Sequence, residues 1–271
     1  MSAYYNEWDK YAAAWLRNLI AAGHIAPGEV DERSITDVRP DDLRGFGQCH
    51  FFAGIGGWSY AARLAGWPDD RALWTGSCPC QPFSVAGKGK AQADERHLWP
   101  ELFRLASACR PAVLMGEQVA AAIGKDWIDG VFADLEGIGY ACGAVVVPAC
   151  AVDAPHRRDR AWFVADASSR GVRVPGRTST ISPPGEVQAD TQQRERLWPD
   201  AGADGLHRGF WSDHGWVLGH DGKGRRVKPG LPLLAHGVPA RVGKLRAYGN
   251  AIVPQVAAVF VRAFLESTHG I

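Results

Sequence analysis

The chain has 271 residues, of which 46% are hydrophobic and 22% charged, so it is typical of a soluble globular protein with one large domain, with or without a small appendage. No stretch approaches the roughly 20 apolar residues of a bilayer-spanning helix, and the early acidic residues of "MSAYYNEWDKYAAAWL" do not fit a secretory signal. We therefore expect a cytoplasmic protein, with no membrane partner, whose cysteines are reduced. The formal net charge of +1 gives no overall sign of a nucleic-acid partner, so any such surface would be a local patch.

Helical patterns alternate with short apolar runs from Met1 to about Asp166. The segment "DKYAAAWLRNLIAAG" predicts a helix that ends at Gly23, and "ERHLWPELFRLASAC" and "WIDGVFADLEGIG" predict two more. Buried strands are predicted in "CHFFAGIGG", "RALWTGSC", "PAVLMGEQV", "GAVVVPACAV" and "RAWFVAD". Strands that alternate with helices predict an α/β fold with a mostly parallel sheet.

The composition changes at about Ala167. Residues 167–209 are rich in Ser, Pro, Gly and Arg with little periodicity, which is typical of a disordered or loop-rich insertion. Asp221-Gly222 then predicts a hairpin turn, beside a basic cluster formed by Lys223, Arg225, Arg226 and Lys228. The segment after "YGN" predicts a final helix with one apolar face.

Two cysteines stand one residue apart in "TGSCPCQPFS", Thr75 to Ser84. A zinc site needs about four ligands, commonly in two pairs, and the sequence offers no second closely spaced Cys or Cys/His pair, so we expect no metal. A thioredoxin-type motif has two residues between its cysteines, whereas Cys78 and Cys80 have one. A thiol nucleophile and a plain buried cysteine both remain open. The segment follows a predicted strand, and open α/β sheets bind their ligands at that end of a strand.

Five segments, taken together and in order, resemble motifs of the DNA (cytosine-5) methyltransferases. "PCQPFS" is similar to the family's nucleophile loop, and "FAGIGG" resembles its first S-adenosylmethionine motif. "GEQV" stands where the family has Glu-Asn-Val. "HRRDRAWFV" resembles its Gln-x-Arg-x-Arg strand, and "YGNAIVPQ" resembles its Gly-Asn-Ser-Val motif. The resemblance covers the chain outside residues 167–239.

This resemblance implies methylation of C5 of cytosine, with Cys80 as a thiolate that adds to C6 because C5 alone is a poor nucleophile. Glu117 would be the acid at N3, and Arg158 and Arg160 would hold the base and the loop by charge-assisted hydrogen bonds. Gln81, Ser84 and Gln118 fall at substrate-binding positions. A base or a water must also remove the C5 proton, and the sequence does not identify it.

The same resemblance implies S-adenosylmethionine as the cofactor. Glycines after a strand let the backbone approach its methionine end; the residues of this turn are Phe52, Ala53, Gly54, Ile55, Gly56 and Gly57, and Pro79, Asn250 and Ala251 complete that side. "NEWDKYAAAWL" resembles the family's second motif, so Glu7 would accept the ribose hydroxyls and Trp8 would stack on adenine. "VDERSITDVRPDDL" resembles the third motif and puts Ser34 and Ile35 where the family has Asp-Ile, with Asp31 as an alternative to Ser34.

The motifs therefore follow the order second, third, first, cysteine loop, which is a circular permutation of the family's order. The implied fold is α/β, a Rossmann-like S-adenosylmethionine-dependent methyltransferase fold with permuted strand order, plus a small target-recognition module. The crossover rule favours moving the helix after Gly57 to the other face of the sheet. A loop through "PDDR" could instead keep that helix in place.

Residues 1–167 and 238–271 would form the catalytic methyltransferase domain, and 168–237 the small target-recognition region. Its basic residues, with Trp198, Trp211 and Trp216, would contact double-stranded DNA, and the target cytosine would flip into a cleft between domain and module. We expect a bacterial or phage-encoded monomer that acts in restriction-modification or in phage genome protection.

Two departures from the family keep alternatives open. Gln118 replaces the Asn that follows the catalytic Glu, and Ala251 replaces the Ser of Gly-Asn-Ser-Val. Together they leave open a catalytically silent DNA-binding homologue. The short recognition region leaves open RNA or a free nucleotide as the substrate.

Overall fold

The computed structural model describes residues 2–79, 98–125, 127–154, 156–167, 215–218, 224–227 and 250–269. The chain divides into two compact units, with boundaries at residues 152–156, 170–171 and 235–236. In the larger unit the elements are β1 Ser2–Asn6, α1 Lys10–Ala21, β2 Gly28–Asp31, β3 Phe46–Phe51, α2 Gly57–Leu64, β4 Leu73–Gly76, α3 Trp99–Cys109, β5 Val113–Val119, α4 Trp127–Gly137, β6 Ala141–Val147, β7 Arg160–Asp166 and α5 Pro254–His269. Within the described residues of the smaller unit they are β8 Gly215–Leu218 and β9 Gly224–Val227.

A seven-stranded sheet in the order β2-β1-β3-β4-β5-β7-β6 forms the centre of the larger unit. The strands from β2 to β5 are parallel, and β7 runs antiparallel to both of its neighbours. Helices cover both faces, and this is why runs such as "VLMGEQV" read as nearly continuous buried strands. The predicted α/β fold with a mostly parallel sheet is confirmed.

The two faces of the sheet bury different kinds of side chain. On one face, α3 and α4 pack on a core of aromatic and aliphatic residues that includes Phe51, Trp74 and Leu102. On the other face, α1 and α2 pack against Tyr5 of β1, and α5 packs on α2. Alternate strand residues such as Tyr4 and Tyr5 point to opposite faces, so each strand contributes to both layers.

The connection from β3 through α2 to β4 differs in hand from the other helical connections of the sheet. It steps along the sheet in the opposite direction to β1–α1–β2, yet α1 and α2 lie over the same face. The β4–α3–β5 connection steps the same way as β3–α2–β4 but over the other face, so it shares the hand of β1–α1–β2. About 98% of such crossovers are right-handed, which identifies β3–α2–β4 as left-handed. The prediction that α2 changes face is therefore wrong.

The return from α2 to β4 explains how α2 keeps its place. Trp67 is fully buried and stacks on Phe264 of α5, with ring centroids 6.2 Å apart. Asp69 accepts two hydrogen bonds from Arg63, at 3.0 and 2.6 Å. The Gln48 amide of β3 donates to the Pro68 carbonyl at 3.0 Å. These contacts fix the segment 65–72 against β3 and α5. The loop through "PDDR" therefore keeps α2 on its face of the sheet, which is the alternative that the sequence left open.

In the smaller unit, β8 and β9 form an antiparallel pair in which Trp216 lies opposite Arg226 and Val217 opposite Arg225. The predicted turn at Asp221-Gly222 lies outside the described residues, as do Lys223, Lys228, Trp198 and Trp211.

Candidate active site

Glu7 and the glycine turn meet at the carboxyl ends of β1 and β3. β1 ends at Asn6, and the Asp9 carboxylate caps α1 by accepting from the backbone N–H groups of Tyr11 and Ala12. Glu7 stands between these two elements. Its Oε1 accepts from the Asp9 N–H at 2.9 Å and its Oε2 from the Gly54 N–H at 2.7 Å. Each carboxylate oxygen retains a second lone pair for another donor.

The glycine turn has a left-handed backbone at three positions, Phe52, Gly54 and Gly56. At Gly54 this conformation points the N–H at Glu7. At Gly56 an added Cβ would lie 3.2 Å from side-chain atoms of Leu16 and Ile25, so glycine also lets the turn pack against α1. Ala53 is buried between these elements, and Ile55 is partly exposed.

Two opposing effects act on the pKa of Glu7, and burial is the larger of them, so the pKa is raised overall. Burial raises the pKa of Glu7, and the hydrogen bonds from the Asp9 and Gly54 backbone oppose that rise. Trp8, the next residue, is 74% exposed, so its ring face is available for stacking. An acceptor with free lone pairs, an open glycine backbone and an exposed aromatic ring suit a ribose, a methionine end and an adenine respectively.

The residues predicted for the adenine side lie just after β2. The Ser34 hydroxyl accepts from the Thr36 hydroxyl at 2.8 Å, and the Ile35 side chain is buried in the core on the α3 face. Asp31 is held by Arg33 and by the Tyr4 hydroxyl; burial raises its pKa, but these hydrogen bonds lower it overall. Its engagement with Arg33 makes Asp31 the less available of the two acceptors considered at this position.

The half of the candidate site that is predicted to be catalytic centres on Glu117 of β5. In the β5–β7 register Glu117 lies opposite Trp162, and its Oε1 accepts from Arg160 Nε at 2.7 Å. Glu117 is only 8% exposed. Burial raises its pKa, while the charges of Arg160 and Arg158 and hydrogen bonds from Ser77 and Arg160 act in the opposite direction. A buried carboxyl group with a raised pKa is suited to take part in proton exchange.

Arg158 joins the catalytic half to the segment before α5. Its backbone has a φ of 40°, and its guanidinium donates to the Ala251 carbonyl at 2.7 Å. Because the acceptor is a backbone oxygen, replacement of the family's Ser by Ala251 leaves this contact intact. Burial, and then the neighbouring Arg160, lower the pKa of Arg158. Asn250 lies beside this contact and is exposed.

The start of the cysteine loop is held from β5. The Gln118 amide donates to the Cys78 carbonyl at 3.3 Å, so the longer side chain at this position reaches the loop backbone. Cys78 itself is buried in the core on the α3 face, and burial raises the pKa of its thiol, which makes it the plain buried cysteine of the pair. Pro79 is exposed. Cys80, Gln81 and Ser84 lie outside the described residues.

Three residues that sequence reasoning missed hold this site together. The Asn6 amide donates to the Arg33 carbonyl at 2.9 Å, which ties the end of β1 to the loop before Ser34. The Trp58 indole donates to Ser77 Oγ at 3.0 Å at the start of the cysteine loop. Asn6 and Ser77 are polar residues directly after an apolar run, a pattern that could have drawn attention to them.

A family model described as C-5 cytosine-specific DNA methylase matches residues 66–198. This range contains Glu117, Arg158 and Arg160 as well as the cysteine loop. Residues 66–198 are therefore similar to the C-5 cytosine-specific DNA methylase family. S-adenosylmethionine is the methyl donor of this family, and Glu7, Trp8 and the glycine turn fit that cofactor.

Two curated proteins that are similar to this chain are named type II methyltransferases. M.NgoMIV of Neisseria gonorrhoeae is 49% identical over 47 residues, which are 17% of this chain and 15% of that protein. M.AplI of Arthrospira platensis is 29% identical over 92 residues, which are 33% of this chain and 27% of that protein. In these matches the chain spans less than a third of the length of either relative.

Solved structures similar to this chain are also methyltransferases by name. The S. pombe Dnmt2 methyltransferase has a TM-score of 0.38 and 14% identity, covering 63% of this chain and 52% of that one. The Entamoeba histolytica methyltransferase EhMeth has a TM-score of 0.38 and 12% identity, covering 62% and 53%. Among the described residues of the chain, no helix combines the length and apolar character needed to cross a membrane.

Proposed function

We propose that the protein transfers a methyl group from S-adenosylmethionine to C5 of cytosine in double-stranded DNA. The observation that carries this proposal is the buried Glu117–Arg160 pair, 2.7 Å apart, beside the start of the cysteine loop. The description of the matching family model supports DNA as the substrate, and the names of the type II methyltransferase relatives support a restriction-modification setting.

In this proposal Cys80 and Glu117 act on opposite sides of the cytosine ring. The Cys80 thiolate forms a bond to C6 while Glu117 gives a proton to N3, so the negative charge that would develop on the ring is neutralised. The cofactor, held by Glu7, Trp8 and the glycine turn, supplies the methyl group. A base or a water then takes the C5 proton, the C6–sulfur bond breaks, and the N3 proton returns to Glu117.

Arg160 and Arg158 prepare Glu117 for this task. Their charges lower the pKa of Glu117 against the effect of burial, so the carboxyl group remains able to give its proton to N3. The target cytosine has to leave the duplex to reach these residues, because its C6 and N3 atoms are inaccessible within the stacked helix.

The proposal is tested with labelled S-adenosylmethionine and duplex DNA. The parent is expected to label the DNA and to form a covalent adduct with a duplex that contains 5-fluorocytosine, since fluorine blocks proton removal at C5. Cys80→Ser is expected to do neither, and Cys150→Ser, which alters an exposed cysteine, is the control. Methylation by Cys80→Ser at the parent's rate would contradict the mechanism.

The substrate class is tested by competition between duplex DNA, tRNA and dCMP. DNA is expected to accept the methyl group and to suppress any labelling of the other two. Preferential labelling of tRNA or dCMP would reassign the substrate. Retention of DNA without methyl transfer or adduct would identify a silent binding protein.

We also infer that the chain is a circular permutation of the family's order. The glycine turn follows β3, which lies inside the sheet between β1 and β4, and the family model matches only from residue 66 onward. Joining α2 to β4 rather than to β1, while α2 keeps its face, would give the left-handed connection described above.

A rearranged variant tests the permutation. In this variant residues 1–45 are moved to the loop between Pro68 and Arg71, so that α2 leads into β1 and β2 leads into β4. Its α2 crossover becomes right-handed, and we expect it to fold cooperatively and to retain cofactor binding. A rearranged chain that fails to fold, while the parent folds under the same conditions, would contradict the inference.

A further inference from the structure

A series of hydrogen-bonded side chains connects the helix after the glycine turn to the carboxyl group of Glu117. Trp58, in the first turn of α2, is buried, and its Nε1–H donates to Ser77 Oγ at 3.0 Å. Ser77 directly follows β4, and the last pair of the parallel β4–β5 register is Gly76 with Gly116, so Ser77 lies beside Glu117. A hydrogen bond from Ser77 is among the effects that lower the pKa of Glu117. Glu117 accepts from Arg160 of β7 at 2.7 Å. This hydrogen-bonded series therefore links α2, the residue after β4, β5 and β7.

Hydrogen bonds in this series can be donated in only one direction, from Trp58 towards Glu117. An indole N–H is a donor without acceptor capacity, so Ser77 must accept from Trp58. The Ser77 hydroxyl proton is then left for the Glu117 carboxylate, which accepts it. Trp58 also packs edge-on against Trp162, the residue opposite Glu117 in the β5–β7 register, with ring centroids 5.4 Å apart. Trp58 thus touches the surroundings of Glu117 in two ways.

We propose that Ser77 is a positioning residue for Glu117 and that Trp58 orients Ser77, an inference that rests on the proposed function. The helix whose first turn follows the cofactor's glycine turn thereby sets the geometry of the catalytic acid. Neither Ser77 nor Trp58 reacts with the substrate. Their contribution is to hold one carboxylate oxygen while Arg160 holds Oε1.

The first test is the rate and its pH profile in Ser77→Ala. We expect kcat to fall about tenfold or more, the size associated with a hydrogen bond to a charged group, with an unchanged KM for S-adenosylmethionine. The Ser77 hydrogen bond lowers the pKa of Glu117, so its removal raises that pKa and moves the alkaline limb of kcat/KM to higher pH. The charged groups that face Glu117, Arg158 and Arg160, remain in place. Ser77→Thr, which keeps a hydroxyl, restores both values.

The matched control is Ser59→Ala. Ser59 is a buried serine in the same helix as Trp58, and its hydroxyl bonds Tyr5 rather than Glu117. We expect Ser59→Ala to lose stability without moving the alkaline limb. An unchanged kcat and an unchanged limb in Ser77→Ala would overturn the proposal, as would a limb that moves equally in Ser59→Ala.

The second test asks whether Trp58 acts on Glu117 through Ser77. Trp58→Phe removes the N–H and keeps an aromatic ring, and we expect its effect on kcat to disappear in the Ser77→Ala background because Trp58 acts through Ser77. Effects that simply add would contradict this order of action.

A third measurement separates this inference from the proposed function. If the parent transfers no methyl group to any nucleic acid, the proposed function fails, but the pKa of Glu117 can still be followed by 13C NMR of the labelled carboxyl group, assigned with Glu117→Gln. A higher pKa of Glu117 in Ser77→Ala supports the contact, and an unchanged pKa overturns it.

Discussion

The site contains two buried glutamates that are held in different ways. Glu7 and Glu117 are each 8% exposed, and burial raises the pKa of both. Glu7 receives its hydrogen bonds from backbone N–H groups of Asp9 and Gly54. Glu117 receives them from the side chains of Arg160 and Ser77. The comparison separates a fixed acceptor from a carboxyl group suited to exchanging a proton.

The kind of partner explains the difference in role. Backbone donors are part of the fold and cannot move or change charge, so they keep Glu7 in one orientation for a ligand that binds and leaves. The cationic partners of Glu117 respond to its charge, because a guanidinium stabilises the carboxylate much more than the neutral acid. In the proposed reaction, Glu117 alternates between these two forms.

The largest effect is expected for Glu117→Gln. The amide cannot give up a proton to N3, and it leaves the Arg160 charge without its anionic partner. We expect kcat to fall about 100-fold to 10,000-fold, the contribution of a positioned acid, with the KM for S-adenosylmethionine within about twofold of the parent. Initial rates of methyl transfer measure both. Glu101→Gln, on the surface of α3, is the control, and retention of kcat by Glu117→Gln would contradict the assignment.

A smaller effect of a different kind is expected for Glu7→Gln. A glutamine side chain has one acceptor oxygen, so one of the two N–H groups, from Asp9 or Gly54, loses its partner. We expect the KM for S-adenosylmethionine to rise about tenfold or more, with kcat little changed. Isothermal titration with the cofactor gives the same change in Kd. The matched control is Glu32→Gln, because Glu32 is an exposed glutamate that forms an ion pair with Arg17. A fall in kcat at saturating cofactor would erase the contrast between the two glutamates.

Asn6→Asp probes the backbone framework around Glu7. The new carboxylate would face the Arg33 carbonyl, to which the parent amide donates at 2.9 Å, and two acceptors repel each other. We expect a loss of about 1–3 kcal/mol of unfolding free energy, the cost of a buried unpaired polar group, together with a higher KM for the cofactor. Urea unfolding and initial rates check the two effects. A variant with parental stability and parental KM would show that Asn6 does not hold this loop.

The smallest effect on activity is expected for His50→Gln. This variant tests how the pH dependence of stability differs between His50 and the two glutamates. Burial lowers the pKa of His50 to about 3. The unfolded chain binds this proton below the ordinary value of 6.5, so His50 lowers stability as the pH falls from 6.5 to 3. The two glutamates act with the opposite sign, since their raised pKa values lower stability as the pH rises through them. His50→Gln is expected to flatten the acid side of the stability profile and to leave kcat unchanged, and a preserved slope would contradict the role of His50.

The sequence predicted five of the seven strands of the sheet and the meeting of two distant segments, but it gave no strand prediction for β1 or β2. β3, β4, β5 and β7 were recognisable because both of their faces are covered, and the strand–helix alternation led to the correct fold class. The prediction that β6 is buried is wrong, because β6 lies at the edge of the sheet and exposes Val145 and Val146. The contact between Glu7 and Gly54 was also within reach, because carboxyl ends of neighbouring parallel strands share one edge of a sheet.

The face of α2 was beyond such reasoning. The crossover rule describes a local preference, whereas the place of α2 is set by residues far along the chain. Gly56 fits against Leu16 and Ile25, and Gly57 fits beside Ile252. Ser77 was missed for a similar reason: its partners Trp58 and Glu117 are 19 residues before it and on another strand respectively.

The dependence of α2 on α5 has a consequence for synthesis on the ribosome. Arg262 of α5 donates to the Leu64 carbonyl across 198 residues of sequence, and Phe264 covers Trp67. While the nascent chain lacks α5, this tryptophan and the outer side of α2 are without their cover, and contacts over such separations form slowly. Final closure of the left-handed connection therefore has to await the emergence of α5, and the growing polypeptide presents an apolar surface that a chaperone can bind until then.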